Sequence, residues 1–166
     1  TPIEGAAPTL RITAPRNGAR IASGPVNVTV QLRNWTLAPD PGNHVHFIVD
    51  NEPYIAVRDV SHPVDLAALV HDNLGHDLAP GSHVLRVFPS RQQHESVKDA
   101  HAFAVITFVY GQPTAGFTFD ARAPMLTYSR PKGCNVSGSR VMLDFFLSNV
   151  PALAADGTLV HYSIDG

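Results

Sequence analysis

An internal repeat constrains this chain more than any other feature. Residues 9–51 can be laid over residues 125–166 with only single-residue gaps. Pro15 and Gly18 fall on Pro131 and Gly133, Ser23-Gly24 on Ser137-Gly138, and Asn34 on Asn149. His46-Phe47-Ile48-Val49-Asp50 then falls on His161-Tyr162-Ser163-Ile164-Asp165. A match that keeps turn, strand and turn in one order means that a single supersecondary unit is used twice. The chain therefore divides into an extended lead (1–8), a complete unit (9–110), a linker (111–124) around Gly111-Gln112-Pro113-Thr114-Ala115-Gly116, and the first strands of a second copy (125–166). Three strands cannot bury both faces of a sandwich, and they leave open edges. The expectation is that the natural chain continues past Gly166 or, less commonly, that a partner supplies the missing strands.

The unit itself reads as all-β. The 14 Pro and 12 Gly punctuate short runs rich in Val, Ile, Phe and Thr, the spacing of a β-sandwich. Leu10 to Thr13 is a first strand, closed by Pro15-Arg16-Asn17-Gly18. Val26 to Leu32 alternates strictly, with Val26, Val28, Val30 and Leu32 on one face, as a half-buried strand does. His44 to Asp50 places Val45, Phe47 and Val49 inward, and Tyr54 to Arg58 follows the Asn51-Glu52-Pro53 turn. From Asp65, an N-cap, the apolar Leu66, Leu69, Val70 and Leu74 recur at helical spacing until Gly75, which predicts one short crossing helix. His83 to Phe88 and Ala102 to Tyr110 complete the unit, the latter apolar on both faces and so central.

Charge and length exclude several function classes. The 12 basic and 14 acidic residues give a net charge of -2 with no basic run, which removes the electrostatic footprint of a nucleic-acid binder. The longest apolar stretches are strand-sized, far short of the ~20 residues of a spanning helix. With Cys134 as the single cysteine, no disulfide forms within the chain. The small, Pro-rich opening Thr1-Pro2-Ile3-Glu4-Gly5-Ala6-Ala7-Pro8 is of the kind that follows a processed export signal or lipid anchor. The chain is accordingly expected outside the cytoplasm, in the periplasm or at the cell surface, with membrane contact only through an N-terminal anchor.

The order of Pro-x-x-Gly turn, Ser-Gly-Pro, alternating strand, Asn-hydrophobic, His-Val-His-Phe-x-Val-Asp-x and Leu-Ala-Pro-Gly-Ser-His-x-Leu-Arg-Val resembles the immunoglobulin-like repeat domains of exported bacterial lipoproteins and surface proteins. The resemblance covers nearly the whole chain. It implies an immunoglobulin-like β-sandwich with a second, incomplete copy, an extracytoplasmic setting, and a role as binding module, spacer or accessory subunit. It names no substrate.

Nine histidines stand out, and His44-Val45-His46 above all. Two residues apart on a strand, their imidazoles share a face, roughly 6.5 to 7 Å apart at the backbone, a separation that suits two ligands of one ion. The pair resembles that of copper-zinc superoxide dismutases, but the paired cysteines of that fold are absent. The first expectation is that both histidines lie on the solvent or sheet-interface face, hydrogen-bonded to neighbours. In the repeat only His46 has a counterpart, His161, while Leu159 replaces His44. The alternative is a copper or zinc site using His44 and His46 with His83, or with His94 or His101, because such sites need three or four convergent ligands.

Cys134 lies in a turn with no histidine nearby in sequence, so a blue-copper set is not expected. No Gly-x-Ser-x-Gly elbow occurs. The polar run Arg91 to Asp99 is a solvated loop between strands, and with His83 and the His62 to His76 crossover it is the candidate recognition surface through His83, Arg91, His94, Glu95 and Lys98. The Asn27-Val28-Thr29, Asn34-Trp35-Thr36 and Asn135-Val136-Ser137 patterns are incidental, and Trp35 is a core plug. These residues read as a non-catalytic extracytoplasmic binding or structural module, or an accessory subunit docked on a protein partner such as a larger cell-envelope complex, with no cofactor; periplasmic copper or zinc binding is the alternative.

Overall fold

The computed structural model describes residues 1–133, 138, 140–155 and 157–164; Cys134, the Asn135 pattern and the end of the repeat at Asp165 lie outside them. The elements run β1 (Thr9–Ala14), β2 (Ala19–Ile21), β3 (Asn27–Arg33), β4 (His44–Val49), β5 (Ile55–Val57), β6 (Val64–Asp65), α1 (Leu66–Leu74), β7 (Gly81–Ser90), β8 (Ala104–Tyr110), β9 (Met125–Arg130) and β10 (Asp144–Ser148). A five-stranded sheet has the order β2-β8-β7-β4-β5, a three-stranded sheet the order β1-β3-β6, and β9 and β10 form a ribbon. Among the named strands every pairing is antiparallel except β2 with β8. The molecule is mostly β, as its punctuation predicts.

The alternation that announces β3 has its physical cause in one shared core. Val26, Val28 and Val30, with Leu10 of β1, meet Val45, Phe47 and Val49 of β4, Leu85 and Val87 of β7, and Ile106 and Phe108 of β8. The helix forms where its caps predict. The Asp65 carboxylate accepts from the Ala67 and Ala68 N–H groups, Gly75 closes the helix at φ 78, and Leu66 and Val70 enter the same core.

Strand β4 departs from expectation: all six of its residues are buried, not only the inward three. The outer face of the sheet is covered by chain from two distant places. Ile48, Tyr54 and Phe88 form a second apolar cluster joined by Ala56 and Phe103. Phe103 in turn stacks on Phe146 of β10, ring centroids 4.5 Å apart. Nothing local to β4 announces a cover that arrives from a hundred residues away. Smaller differences have local causes. Strand β8 begins at Ala104 because Asp99 caps a turn of 3-10 helix at Ala100–Ala102. The short, parallel β2 carries no pattern of its own.

Positions matched by the repeat share local geometry. In β1 the register with β3 steps over Thr13, whose hydroxyl donates to Thr29 O at 3.3 Å. In β9 the register with β10 steps over Ser129, whose hydroxyl donates to the Asp144 carboxylate and lies 3.3 Å from Asp144 O. Asn34 and Asn149 both sit at positive φ, 55° and 58°. Each donates its side-chain amide to carbonyls just before the first strand of its pair: Ala7 O for Asn34, Ala121 O and Ala123 O for Asn149. Residues 159–164, laid over part of β4, form no strand.

Candidate metal centre

The period of two places His44 and His46 on the outer face of β4, opposite the core residues Val45 and Phe47. Both are 0% exposed. His94 reaches them from the loop between β7 and β8. A tight turn aims it: the His94 N–H donates to Arg91 O at 2.8 Å, the Arg91 N–H to Glu95 O at 2.9 Å, and His94 itself takes φ 65°. Histidine is among the non-glycine residues enriched in that left-handed region, yet such backbone is uncommon and clusters at functional sites. The Arg91 guanidinium pins the loop by donating to Thr1 O and Pro2 O, each at 3.0 Å, and by lying 5.6 Å from the Trp35 ring centroid.

The three rings converge. His44 Nε2 lies 3.0 Å from His46 Nε2 and 2.9 Å from His94 Nδ1. All three potential ligand atoms fall within 4.8 Å of one another. On its other side His44 Nδ1 is 2.8 Å from Gly42 O, so Nδ1 carries the proton and Nε2 presents its lone pair. That is the outer-sphere arrangement by which ligating histidines are usually oriented. One imidazole lone pair accepts one good hydrogen bond, yet two ring nitrogens crowd His44 Nε2. A central cation would instead receive a lone pair from each ring, the 2.9–3.0 Å separations opening to about 3.3–3.5 Å around bonds of about 2.0–2.1 Å.

Burial keeps the rings neutral, which is the ligating form. His46 stacks on Tyr54 with centroids 3.9 Å apart and meets the edge of Phe88 at 5.4 Å; burial above all pushes its pKa well below the ordinary value. Burial also lowers His44, against the opposing hydrogen bond to Gly42 O. His94 is pushed down to about 4, first by burial and then by His44 and the charges of Arg130, Arg58 and Lys132. These cations ring the site from several directions. The Lys132 ammonium lies 4.3 Å from the Tyr54 centroid, Arg130 donates to the Tyr54 hydroxyl at 3.1 Å, and Arg58 pairs with Asp40.

The set His44, His46 and His83 needs correction, and sheet register supplies the reason. His44 pairs with Ser90, His46 with Phe88 and Ile48 with Arg86, so the even-numbered residues of β7 share the outer face. His83 is odd, faces inward, and stacks against the core residue Phe108 at 5.2 Å. Its Nδ1 lies 2.9 Å from Asp50 Oδ2 and its Nε2 2.8 Å from Ala79 O, so both nitrogens donate. Burial alone would lower the His83 pKa, but the hydrogen bonds to Asp50 and Ala79 and the Asp50 charge outweigh it and raise the value. His101 sits exposed beside Asp99. Of the loop candidates Arg91, His94, Glu95 and Lys98, only His94 joins the site. Arg91 and Glu95 hold the turn, and the Lys98 ammonium is 2.6 Å from Asp144 of β10. In the crossover, His71 pairs with Asp77 and His76 with Glu52. The missed contributors are Gly42, Tyr54, Arg130 and Lys132; no sequence signal ties them to His46.

These environments have opposite signs, so histidine-resolved NMR titration of metal-free protein should separate them. His83 is expected to titrate above the ordinary 6.5, His46 and His94 below it, with His94 near 4. Titration of all three near 6.5 would show that the rings are solvated.

Comparison with protein-family models, curated proteins and solved structures found no match. Among the described residues, no helix is long and apolar enough to cross a membrane.

Proposed function

We propose that this chain is a non-catalytic, extracytoplasmic module that binds one copper or zinc ion through His44, His46 and His94. The observation that carries this reading is the meeting of three neutral imidazoles, two buried and one half-buried, with the outer nitrogen of His44 already bonded to a backbone carbonyl. Imidazole suits copper and zinc. The frame is read as an immunoglobulin-like sandwich followed by a second copy. Support comes from the core shared by the two sheets, the register steps at Thr13 and Ser129, and the positive-φ asparagines Asn34 and Asn149.

The test is equilibrium dialysis of untagged protein against copper or zinc, followed by elemental analysis. One ion per chain is expected, lost when His44 and His46 are both replaced by alanine and retained in His83→Ala. The absence of stoichiometric metal, or its survival in the double variant, would sink the proposal.

Gly42 offers a finer probe. A Cβ there would stand 2.4 Å from Pro39 O and 2.6 Å from Ala38 Cβ, so Gly42→Ala must displace the carbonyl that orients His44. The expected result is a tenfold to hundredfold loss of metal affinity, about the usual effect of losing an outer-sphere partner, with His44 and His46 still present. Unchanged affinity would mean that Gly42 O does not position the ring.

A further inference from the structure

The charge around the three imidazoles points to the kind of ion they hold. We propose that the site is built for a monovalent closed-shell cation, Cu(I), in preference to Zn(II) or Cu(II), an inference that rests on the metal-binding reading above. Among the described residues the cluster consists of three imidazoles alone, with no carboxylate or thiolate in it. Neutral ligands leave the full charge of the ion uncompensated. Its wider surroundings add to that charge. Lys132 and Arg130 sit against Tyr54, the ring that stacks on His46, and Arg58 lies close enough to disfavour protonation of His44 and His94. The nearby acid, Asp40, is paired with Arg58.

Two physical terms then separate the ions. Repulsion from fixed cations scales with the charge of the ion, and is twice as large for a dication. The Born cost of taking an ion out of water scales with the square of its charge, and is about four times as large. Both act strongly here, because His44 and His46 are 0% exposed and the site is walled by Tyr54 and Phe88. Coordination demand points the same way. Zn(II) held by three histidines takes a fourth ligand and Cu(II) prefers tetragonal sets, whereas Cu(I), with its lower charge, is satisfied by three nitrogens.

The experiment is competition for the metal with chromophoric chelators: Cu(I) under anaerobic ascorbate, Zn(II) and Cu(II) separately. It is done in the Cys134→Ser background so that the one thiol of the chain does not itself take the ion. Cu(I) is expected to bind more tightly than Zn(II), the order that the charge terms favour. Lys132→Gln removes one fixed charge, so an n-fold gain in Cu(I) affinity should appear as an n²-fold gain for Zn(II). Tighter binding of Zn(II) or Cu(II) than of Cu(I), or equal gains in Lys132→Gln, overturns the cuprous assignment and leaves the metal site standing. Failure to bind any of the three ions overturns both.

Discussion

His46→Leu is expected to abolish metal binding while leaving the metal-free protein as stable as the native chain or about 1 kcal/mol more stable. The side chain is 0% exposed and its Nδ1 has no hydrogen-bond partner among the described residues. A buried polar atom left unsatisfied costs about 1–3 kcal/mol, and leucine removes it at similar volume. Against that gain stand the stack on Tyr54, worth about 0.5–1.5 kcal/mol, and the contact with His44. The two sides nearly cancel in the absence of metal. With metal at a thousand times its dissociation constant the native protein gains about 4 kcal/mol, and the variant should gain nothing. Urea unfolding with chelator and then with metal checks both halves. A metal-free loss above about 2 kcal/mol would show His46 to be an ordinary structural residue of the core, since satisfied buried partners are costly to remove.

One residue further along the strand the sign reverses. Phe47 points to the other face, is 0% exposed, and lies in the core shared by both sheets. Phe47→Ala is expected to cost about 3–5 kcal/mol, because the removed ring leaves a cavity that sheets on both sides cannot collapse to fill. That is a large share of the roughly 5–15 kcal/mol that holds a domain of this kind together. Unfolding in urea measures it, and a loss below about 1 kcal/mol would mean that the two sheets do not pack through this residue. Together, adjacent positions on β4 would then show one face serving stability and the other binding.

Much of this architecture is legible in the sequence, because its causes are local. Asp65 and Gly75 bound the helix through their own capping chemistry, and Val26 to Leu32 alternates because a strand presents successive side chains to opposite faces. The same period places His44 and His46 together without any knowledge of the fold. Sheet register also carries a legible lesson in hindsight: once His44 is opposite Ser90, the parity of β7 sends His83 inward. That pairing, however, is a contact between residues 46 positions apart in number, and no local pattern specifies it.

By itself, then, the sequence determined the helix and its caps, the main strands of the first unit and one shared face carrying two imidazoles, since each depends on chain within a few residues. Only the tertiary structure decided that this face is buried, that His94 and not His83 completes the cluster, and that Tyr54, Arg130 and Lys132 set its electrostatics. Those outcomes depend on strand pairing and on the packing of β10 and the 91–103 loop over the outer face, contacts that close long loops. Their entropy is met by burial spread across the whole molecule, so the sequence of no single segment records them.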